Sequence, residues 1–505
     1  MLDTFTQYTT TRKFTGPLPS WMSDEDGERV QAYSFYEQIY RNVPEAFKLT
    51  QRGADSDPVY LPSARGIVES VNRFLARGWN YAIDPAFDTP ENQVLVRQKL
   101  SVLFARERMR SKFNMQKRWG LIRGDSIWHV IADPTRPENR RISIYDVDPA
   151  TYFPIEDLNN PGRLLGVHLV TQTVDPKDPT KTVIRRRTYR KQDTGVITSE
   201  LSLWEMGGWD DRDESTELKL VAVLEPEIAL PALITTLPVY HVTNSRAPES
   251  LFGVSELAGI ENVLAAVNQT ISDEHLTLVM QGLGMYVTNA GPPVDPTTGE
   301  ELNWVLGPGR VVEIGDEKTF ENVAGVRTVS PMIEHMKFML EQTYEAIGLP
   351  DVARGRVDVT AAESGIALLL QLGPLLAAAE EKEDEMLGVY DQLLYDLVYK
   401  WLPSYEGLPI TEIVIASTVD DPLPDNRKQR IEEIIMLMSS TPPLISAEYA
   451  RQELTKLGYD FPAEMGETVV TEQAAYSSAV GLDPFASRVA EDLERERAAT
   501  GGTGA

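Results

Sequence analysis

The sequence predicts an α+β fold in which a body of helices and sheet precedes a longer, mostly helical part. Three observations support this class. Residues 126–242 alternate short apolar runs with Pro, Gly, Asn and Asp clusters, which is typical of antiparallel hairpins. From residue 257 onward, apolar side chains recur at helical spacing, and a Gly- and Pro-rich segment separates two of these helices. The 505 residues correspond to roughly three domain-sized units.

The first third of the chain reads as a polar arm followed by helices. Residues 1–30 form the arm, and helices are predicted from Ala32 to Leu49 and from Ser63 to Ala76. Gly78 is placed to end the second of these. One longer helix is predicted over residues 91–123. The predicted strands then follow, at 127–131, 142–145, 164–174, 181–191, 196–204 and 218–224.

The helical part begins with a regular apolar seam. Its residues are spaced by three and four, namely Leu257, Ile260, Leu264, Val267 and Ile271. An insertion rich in Gly and Pro follows over residues 282–328, with short strands predicted at 285–288 and 310–314. Ser330-Pro331 then provides an N-cap and a first-turn proline for a second helix, which Gly348 and Pro350 end.

A long helix is predicted after the short loop 349–359. Thr360 to Glu363 has the pattern of a capping box, and the apolar stripe continues to Trp401. Gly373-Pro374 lies inside it and predicts a kink there. A strand at 410–417, helices at 427–439 and 446–457, and a charged, then small-residue tail complete the chain.

Composition and motifs exclude several classes of protein. The net charge of −28 repels nucleic acid at long range, and the absence of cysteine excludes disulfides and thiolate sites. The most apolar segment, Gly365 to Ala379, is too short to span a bilayer. There is no phosphate-binding loop, dinucleotide fingerprint, zinc-protease motif or nucleophile elbow. We therefore predict no catalytic residue, no metal, no cofactor and no enzymatic activity.

Several short motifs, in their order, resemble the portal proteins of tailed bacteriophages. Residues 251–257 (LFGVSEL), running into 262–272, resemble the start of the first stem helix of that family. Residues 347–355 and 363–368 resemble the segment that crosses the tunnel loop, and 424–426 with 444–448 resemble the start of the crown. The resemblance covers roughly residues 30–460, and the order and spacing of the motifs carry it.

The resemblance implies a portal-type protomer with an α/β wing, a two-helix stem, a small α/β clip, a long kinked helix and a helical crown. The implied boundaries are arm 1–30, wing 31–250, first stem helix 251–281, clip 282–328, second stem helix 329–348, tunnel loop 349–360, long helix and strand 361–420, crown 421–480 and tail 481–505.

The resemblance also implies a function and a set of partners. Such proteins form a ring, usually of twelve subunits, at one capsid vertex of the virion, after assembly in the host cytoplasm. Double-stranded DNA passes through the ring during packaging and ejection. The implied partners are the terminase large subunit, the head–tail adaptor, and the major capsid and scaffolding proteins. Two alternatives stay open from the residues alone: a carboxylate-metal nuclease and a capsid adaptor or scaffold without a channel.

Charge patterning singles out candidate residues of the channel and the clip. From Phe252 to Ile347 there are fourteen acidic and four basic residues, a net charge of −10. If these acids line the channel, they would repel the phosphate backbone and let DNA slide; the alternative is that they face solvent outside the ring. The candidate DNA-channel and tunnel-loop residues are Lys337, Asp351, Arg354, Arg356 and Asp358, although the arginines could instead pair with the neighbouring acids. Asp295, Glu300 and Glu301 are the candidate docking residues of the clip.

A basic block stands out in this acidic chain. Arg97 to Arg141 holds twelve basic and four acidic residues, a net charge of +8. It predicts either a surface that faces DNA or one that pairs with an acidic face of the adjacent subunit. Because the contacts in a ring are heterologous, one patch must complement a different one. We place the subunit interface at Arg106, Arg108, Arg110, Lys117 and Arg118.

Overall fold

The structure, a computed structural model, describes most of the chain between residues 24 and 456. The described residues are 24–51, 57–75, 78–83, 90–157, 159–174, 182–206, 218–246, 250–283, 285–289, 291–292, 294–295, 297–301, 319–323, 330–356, 365–409, 414–419, 427–439, 444 and 447–456. They combine helices with mostly antiparallel sheets, so the predicted α+β class is confirmed. The chain divides into two compact units, Met1–Pro422 and Leu423–Ala505.

The first helix begins earlier in the chain than the sequence indicates, whereas the helix predicted from Ser63 begins at that residue. The helices of this part are α1 (Asp24–Tyr40), α2 (Pro44–Phe47) and α3 (Ser63–Leu75). The predicted arm 1–30 therefore overlaps α1, whose first turns are stabilised by tertiary contacts. Arg29 donates a hydrogen bond to Tyr152 O at 2.8 Å, and Val30 is fully buried in one hydrophobic cluster with Phe153. Residues 1–23 of that arm lie outside the described part.

The single long helix predicted over 91–123 is two helices. These are α4 (Pro90–Glu107) and α5 (Met109–Arg123). Arg108 between them adopts a left-handed conformation with φ 53°. The turn lets Leu100, Met109 and Phe113 all enter the same hydrophobic core. Helical periodicity cannot reveal such a break, because both helices carry apolar residues at the same spacing.

Four sheets hold the described strands. β1 (Trp79–Ile83) pairs with β12 (Ile415–Val419). A three-stranded sheet has the order β3 (Ile142–Val147), β2 (Asp125–Ala132), β9 (Val239–Thr243). A five-stranded antiparallel sheet joins β4 (Tyr152–Asp157), β5 (Asn160–Val174), β6 (Thr182–Lys191), β7 (Ile197–Met206) and β8 (Leu218–Ala229) in sequence order. β10 (Met285–Thr288) pairs with β11 (Phe320–Val323).

The helices of the second half are α6 (Glu261–Leu283), α7 (Ser330–Ala346), α8 (Gly365–Asp396), α9 (Leu402–Tyr405), α10 (Arg427–Ser439) and α11 (Ala447–Lys456). α8 continues through Pro374, and the departure from α geometry comes later, in a π turn at Leu397–Trp401. The predicted capping box at 360–363 and the strand at 310–314 lie outside the described residues.

The main core is aromatic and joins distant parts of the first unit. Trp79, Trp128 and Tyr390 contact one another, with the rings of Trp79 and Tyr390 stacked at 4.7 Å. Burying each such side chain contributes about 1.5–3 kcal/mol. Since the three residues lie on β1, β2 and α8, this core fixes the long helix against both the β1–β12 pair and the three-stranded sheet. In the second unit, Ile434 of α10 packs on Ala450 of α11.

Candidate functional site

The two stem-like helices pack against each other, and polar side chains tie the first of them to the N-terminal part of the chain. α6 and α7 are in contact and bracket the segment that contains β10 and β11. On α6, the Gln269 amide accepts a hydrogen bond from Thr50 N at 2.8 Å and donates one to Thr50 O at 3.2 Å. Ser272 likewise contacts both backbone groups of Val59. These bonds hold the backbone at Thr50 and at Val59 against α6.

A buried carboxylate joins the start of β2 to the segment that precedes α6, and we call this contact region the junction. Asp125, at the start of β2, is fully buried. Its Oδ1 accepts hydrogen bonds from Gly253 N at 2.8 Å and from His241 Nε2 at 2.6 Å, and the Tyr33 hydroxyl donates to Oδ2. Burial and the Asp125 carboxylate raise the pKa of Tyr33 well above its usual value, so the hydroxyl remains a donor. The junction is structural, since no part of this carboxylate is open to a substrate.

The same junction requires two glycines. A Cβ on Gly253 would lie 2.2 Å from Gly124 O, and one on Gly124 would lie 2.5 Å from Gly253 O. Gly124 also has φ +91°, which ends α5. The close backbone approach explains why the motif Leu251 to Leu257 contains glycine at its third position. Sequence reasoning noticed the motif but not Asp125, for which only the adjacent Gly124 gives a signal.

Two buried arginines complete the junction with ion pairs inside the chain. Arg29 pairs with Asp26, donates to Tyr152 O at 2.8 Å, and stacks 4.0 Å over the Phe252 ring. Arg123 pairs with Glu37 and Asp148. Removing one partner of such a pair leaves an uncompensated buried charge, which is strongly destabilising.

The structure brings two of the predicted tunnel-loop residues together. Residues 351–354 form a 3-10 turn in which the Arg354 guanidinium pairs with Asp351 and stacks 3.9 Å over the Tyr344 ring of α7. The alternative that these arginines pair with nearby acids therefore holds for Arg354. Arg356 and Lys337 are exposed, and Asp358 lies outside the described residues.

The clip candidates lie at a small turn. Asp295 accepts a hydrogen bond from Thr297 N at 2.7 Å, and this bond holds the pKa of the Asp295 carboxyl below its usual value. An isolated bridge joins Val294 to Glu301, and both Glu300 and Glu301 are exposed. Their carboxylates are therefore open to a partner, whereas that of Asp295 is engaged in shaping the turn.

Most of the basic block is used inside the chain. Arg106 donates to the backbone oxygens of Asn139 and Ile142, and Arg118 binds Glu69 through two bonds of 2.8 and 3.2 Å. Lys117 is buried against Phe113 and Tyr390, and burial lowers its pKa to about 7. Arg108 and Arg110 are exposed at the corner between α4 and α5. Of the five predicted interface residues, these two present their charge outward.

Within the described ranges, no group of three or more His, Asp or Glu side chains is arranged to hold a metal ion. Likewise, none of the helices traced there is long and apolar enough to cross a membrane.

Comparison with known proteins gives structural neighbours only. No family model and no curated protein matches the chain. A chain in the neck of an empty gene transfer agent particle, computed with C6 symmetry, is 11% identical with a TM-score of 0.43, covering 87% of this chain and 96% of that one. A chain in the virion of a native gene transfer agent particle is 12% identical with a TM-score of 0.41, covering 90% and 98%. At these scores, neither likeness carries an argument about function.

Proposed function

We propose that this chain is the portal subunit of a phage-like particle, a structural protein that forms a ring around a channel for double-stranded DNA. The observation that supports it best is the order of elements around α6 and α7. These helices contact each other, the segment between them contains the β10–β11 pair, and a short turn then leads to the 32-residue helix α8. This is the arrangement that the sequence motifs imply for stem, clip, tunnel loop and long helix.

The charge of α7 fits a channel through which DNA slides. Its exposed acidic residues are Glu334, Glu341 and Glu345, and Lys337 is its one basic residue. Repeated around a ring, this helix would present a strongly negative surface. A duplex with one negative charge per about 1.7 Å would be held away from such a wall.

Two basic residues remain for transient phosphate contacts. Lys337 and Arg356 are exposed, whereas Arg354 is neutralised by Asp351. We therefore expect Arg356→Ala and Lys337→Ala to change DNA packaging or retention without affecting ring assembly. Arg354→Ala should instead loosen the turn against Tyr344, so it serves as the contrasting variant in the same packaging assay.

The partners follow from this role. The clip, through Glu300 and Glu301, would bind the terminase large subunit and later the head–tail adaptor. The wing would contact the major capsid and scaffolding proteins at one vertex of the virion. The channel would bind DNA without sequence preference, because an acidic wall offers few donors to phosphates or base edges.

Negative-stain electron microscopy of the purified full chain tests the proposal. End-on rings of about a dozen subunits with an open centre are the expected result. Monomers or dimers at every concentration tested would overturn it. A DNA-cleavage assay with and without Mg²⁺, run on the same preparation, addresses the nuclease alternative. Mg²⁺-dependent cleavage that stays with the protein through further purification would favour that alternative.

A further inference from the structure

We infer that an arginine-rich surface on α4 and α5 binds the acidic outer face of α8 on a second copy of the chain. The inference rests on the proposed ring and names the surfaces that would join its subunits. The arginine surface consists of Val94, Arg97, Val102, Arg108, Arg110 and Met115. The acidic face consists of Glu380, Glu381, Asp384 and Glu385.

The arginine surface includes the side of α4 opposite its buried residues. Val96, Leu100 and Leu103 point into the core, while Val94 and Val102 on the opposite side are 64% and 46% exposed. The surface continues into a shallow groove at the corner between the two helices. That groove is lined by Phe104, Ala105, Arg108, Met109, Arg110, Ser111 and Asn114. Apolar side chains flanked by arginines are typical of a protein interface.

The guanidinium groups of this surface are available to bind carboxylates of another molecule. Within the described part of the chain, Arg97, Arg108 and Arg110 form no ion pair and are exposed. Nearby basic residues differ: Lys99 pairs with Glu138 at 3.0 Å, and Lys112 pairs with Glu107 at 2.9 Å. Within the block of +8, Arg97, Arg108 and Arg110 thus keep outward charges on this surface, and Arg140 is exposed in the turn between β2 and β3.

The acidic face has the opposite character. Ala379, Met386 and Tyr390 bury one side of α8, and the helical spacing places the four acids on the other side, where all four are exposed. Glu380 and Asp384, like Glu381 and Glu385, are four residues apart, so their charges repel along the helix. Binding cations from a neighbour would relieve this repulsion.

Lys382 is the one basic residue in the sequence of α8, and it does not relieve the repulsion between these acids. Lys382 lies within the acidic run, but its Nζ is 2.5 Å from Glu256 Oε2 and also donates to Asn244 Oδ1 at 3.3 Å. It fixes α8 to the segment that precedes α6 and is turned away from the outer face. Among the described residues, Glu380, Glu381 and Asp384 form no ion pair, and Glu385 accepts a hydrogen bond from Thr243 Oγ1 at 3.1 Å, so most of the charge of this face is available to a second copy of the chain.

The two surfaces complement each other in charge and belong to the same polypeptide. Each subunit carries one of each, so the contact is heterologous and repeats from subunit to subunit, which closes a ring when the rotation permits. Charge complementarity of this kind fixes which partner binds and in what register. Because both surfaces are exposed before assembly, salt should weaken the contact.

A charge-reversal experiment tests the pairing on the full chain. One variant is Arg108→Glu with Arg110→Glu, and the other is Glu380→Lys with Asp384→Lys. Each alone places like charges opposite each other, and we expect it to raise the concentration needed for rings roughly tenfold or more. Mixed in equal amounts, the two variants should assemble again, because reversed acids then meet reversed arginines and native surfaces meet native surfaces.

Controls separate this inference from the proposed function. Arg140→Glu with Arg185→Glu reverses two other exposed arginines and should leave assembly unchanged. The midpoint of thermal unfolding confirms that each variant folds. The pairing would be overturned if both variants formed rings by themselves at the wild-type concentration, or if their mixture formed none. Rings of the wild-type protein would still support a portal in either case. Wild-type protein that forms no rings would instead contradict the proposed function.

Discussion

The arginines of this chain fall into two regions with opposite chemistry. Around Asp125, Arg29 and Arg123 are buried and each is bound by carboxylates of the same subunit. On the α4–α5 surface, Arg108 and Arg110 are exposed and form no ion pair among the described residues. Leaving either buried arginine without its carboxylate would cost several kcal/mol, whereas an exposed arginine keeps its hydration and is available to a second molecule. The comparison shows that a basic stretch in a sequence does not by itself locate an interface.

The largest effect is expected at the centre of the buried region. Asp125→Ala removes the acceptor for Tyr33, His241 and the Gly253 amide, which leaves buried donors unsatisfied. We expect a loss of about 3–5 kcal/mol in the free energy of unfolding, measured by urea denaturation at fixed protein concentration. Asp193→Ala, at an exposed turn, is the matched control. A loss under about 1 kcal/mol would contradict the central role of Asp125.

Lys117 is a buried cation for which the cost of burial outweighs the attraction of the Glu383 carboxylate. Burial lowers its pKa to about 7, so the folded state holds the proton less tightly than the unfolded chain, whose lysine titrates near 10.5. Wild-type stability should therefore rise between pH 7 and pH 10. We expect Lys117→Met to gain roughly 2–4 kcal/mol at pH 7 and to lose this pH dependence.

Urea denaturation at pH 7 and at pH 9 measures both quantities for Lys117→Met. Ring assembly of this variant should be unchanged, because the side chain is buried in its own subunit. An unaltered pH slope would contradict the assignment of the slope to Lys117.

The close contact between Gly124 and Gly253 contributes to the junction through packing rather than charge. Gly253→Ala places a Cβ against Gly124 O, and both backbones are fixed by the junction. We expect a loss of about 2–3 kcal/mol. Gly388→Ala meets nothing within 4 Å on a helix and should gain about 0.5–1 kcal/mol. The midpoints of urea unfolding for the two variants should thus shift in opposite directions, and equal shifts would argue against the clash.

The smallest effect concerns His168 in the five-stranded sheet. Burial, with Arg186 and Arg190 nearby, lowers its pKa to about 4, and its Nδ1 is 2.9 Å from Thr188 Oγ1. The folded state favours the neutral ring, so stability should fall as the pH drops from about 6.5 towards 4. We expect about 2 kcal/mol of this loss to disappear in His168→Gln. Replacement of the exposed His335 should leave the slope intact.

Much of the helical half was predictable because its signals are local. Helices at 427–439 and around 447–456, and the second stem-like helix starting at Ser330, are found where the periodicity and caps indicate. The strand β1 was missed, because its partner among the described strands, β12, lies more than three hundred residues away. The break at Arg108 was missed because a left-handed arginine has no signature in the sequence.

The candidate site residues also differ in whether local sequence or tertiary contacts define them. The acidic character of α6, α7 and the segment between them, the basic block and the motif around Gly253 are evident from the sequence, because composition and short-range periodicity are properties of the chain itself. Only the tertiary structure decided that Arg354 pairs with Asp351, that Lys117 is buried, and that Asp125 joins three distant elements. Burial and pairing depend on which surfaces the fold brings together, and that juxtaposition arises from contacts between residues far apart in the chain.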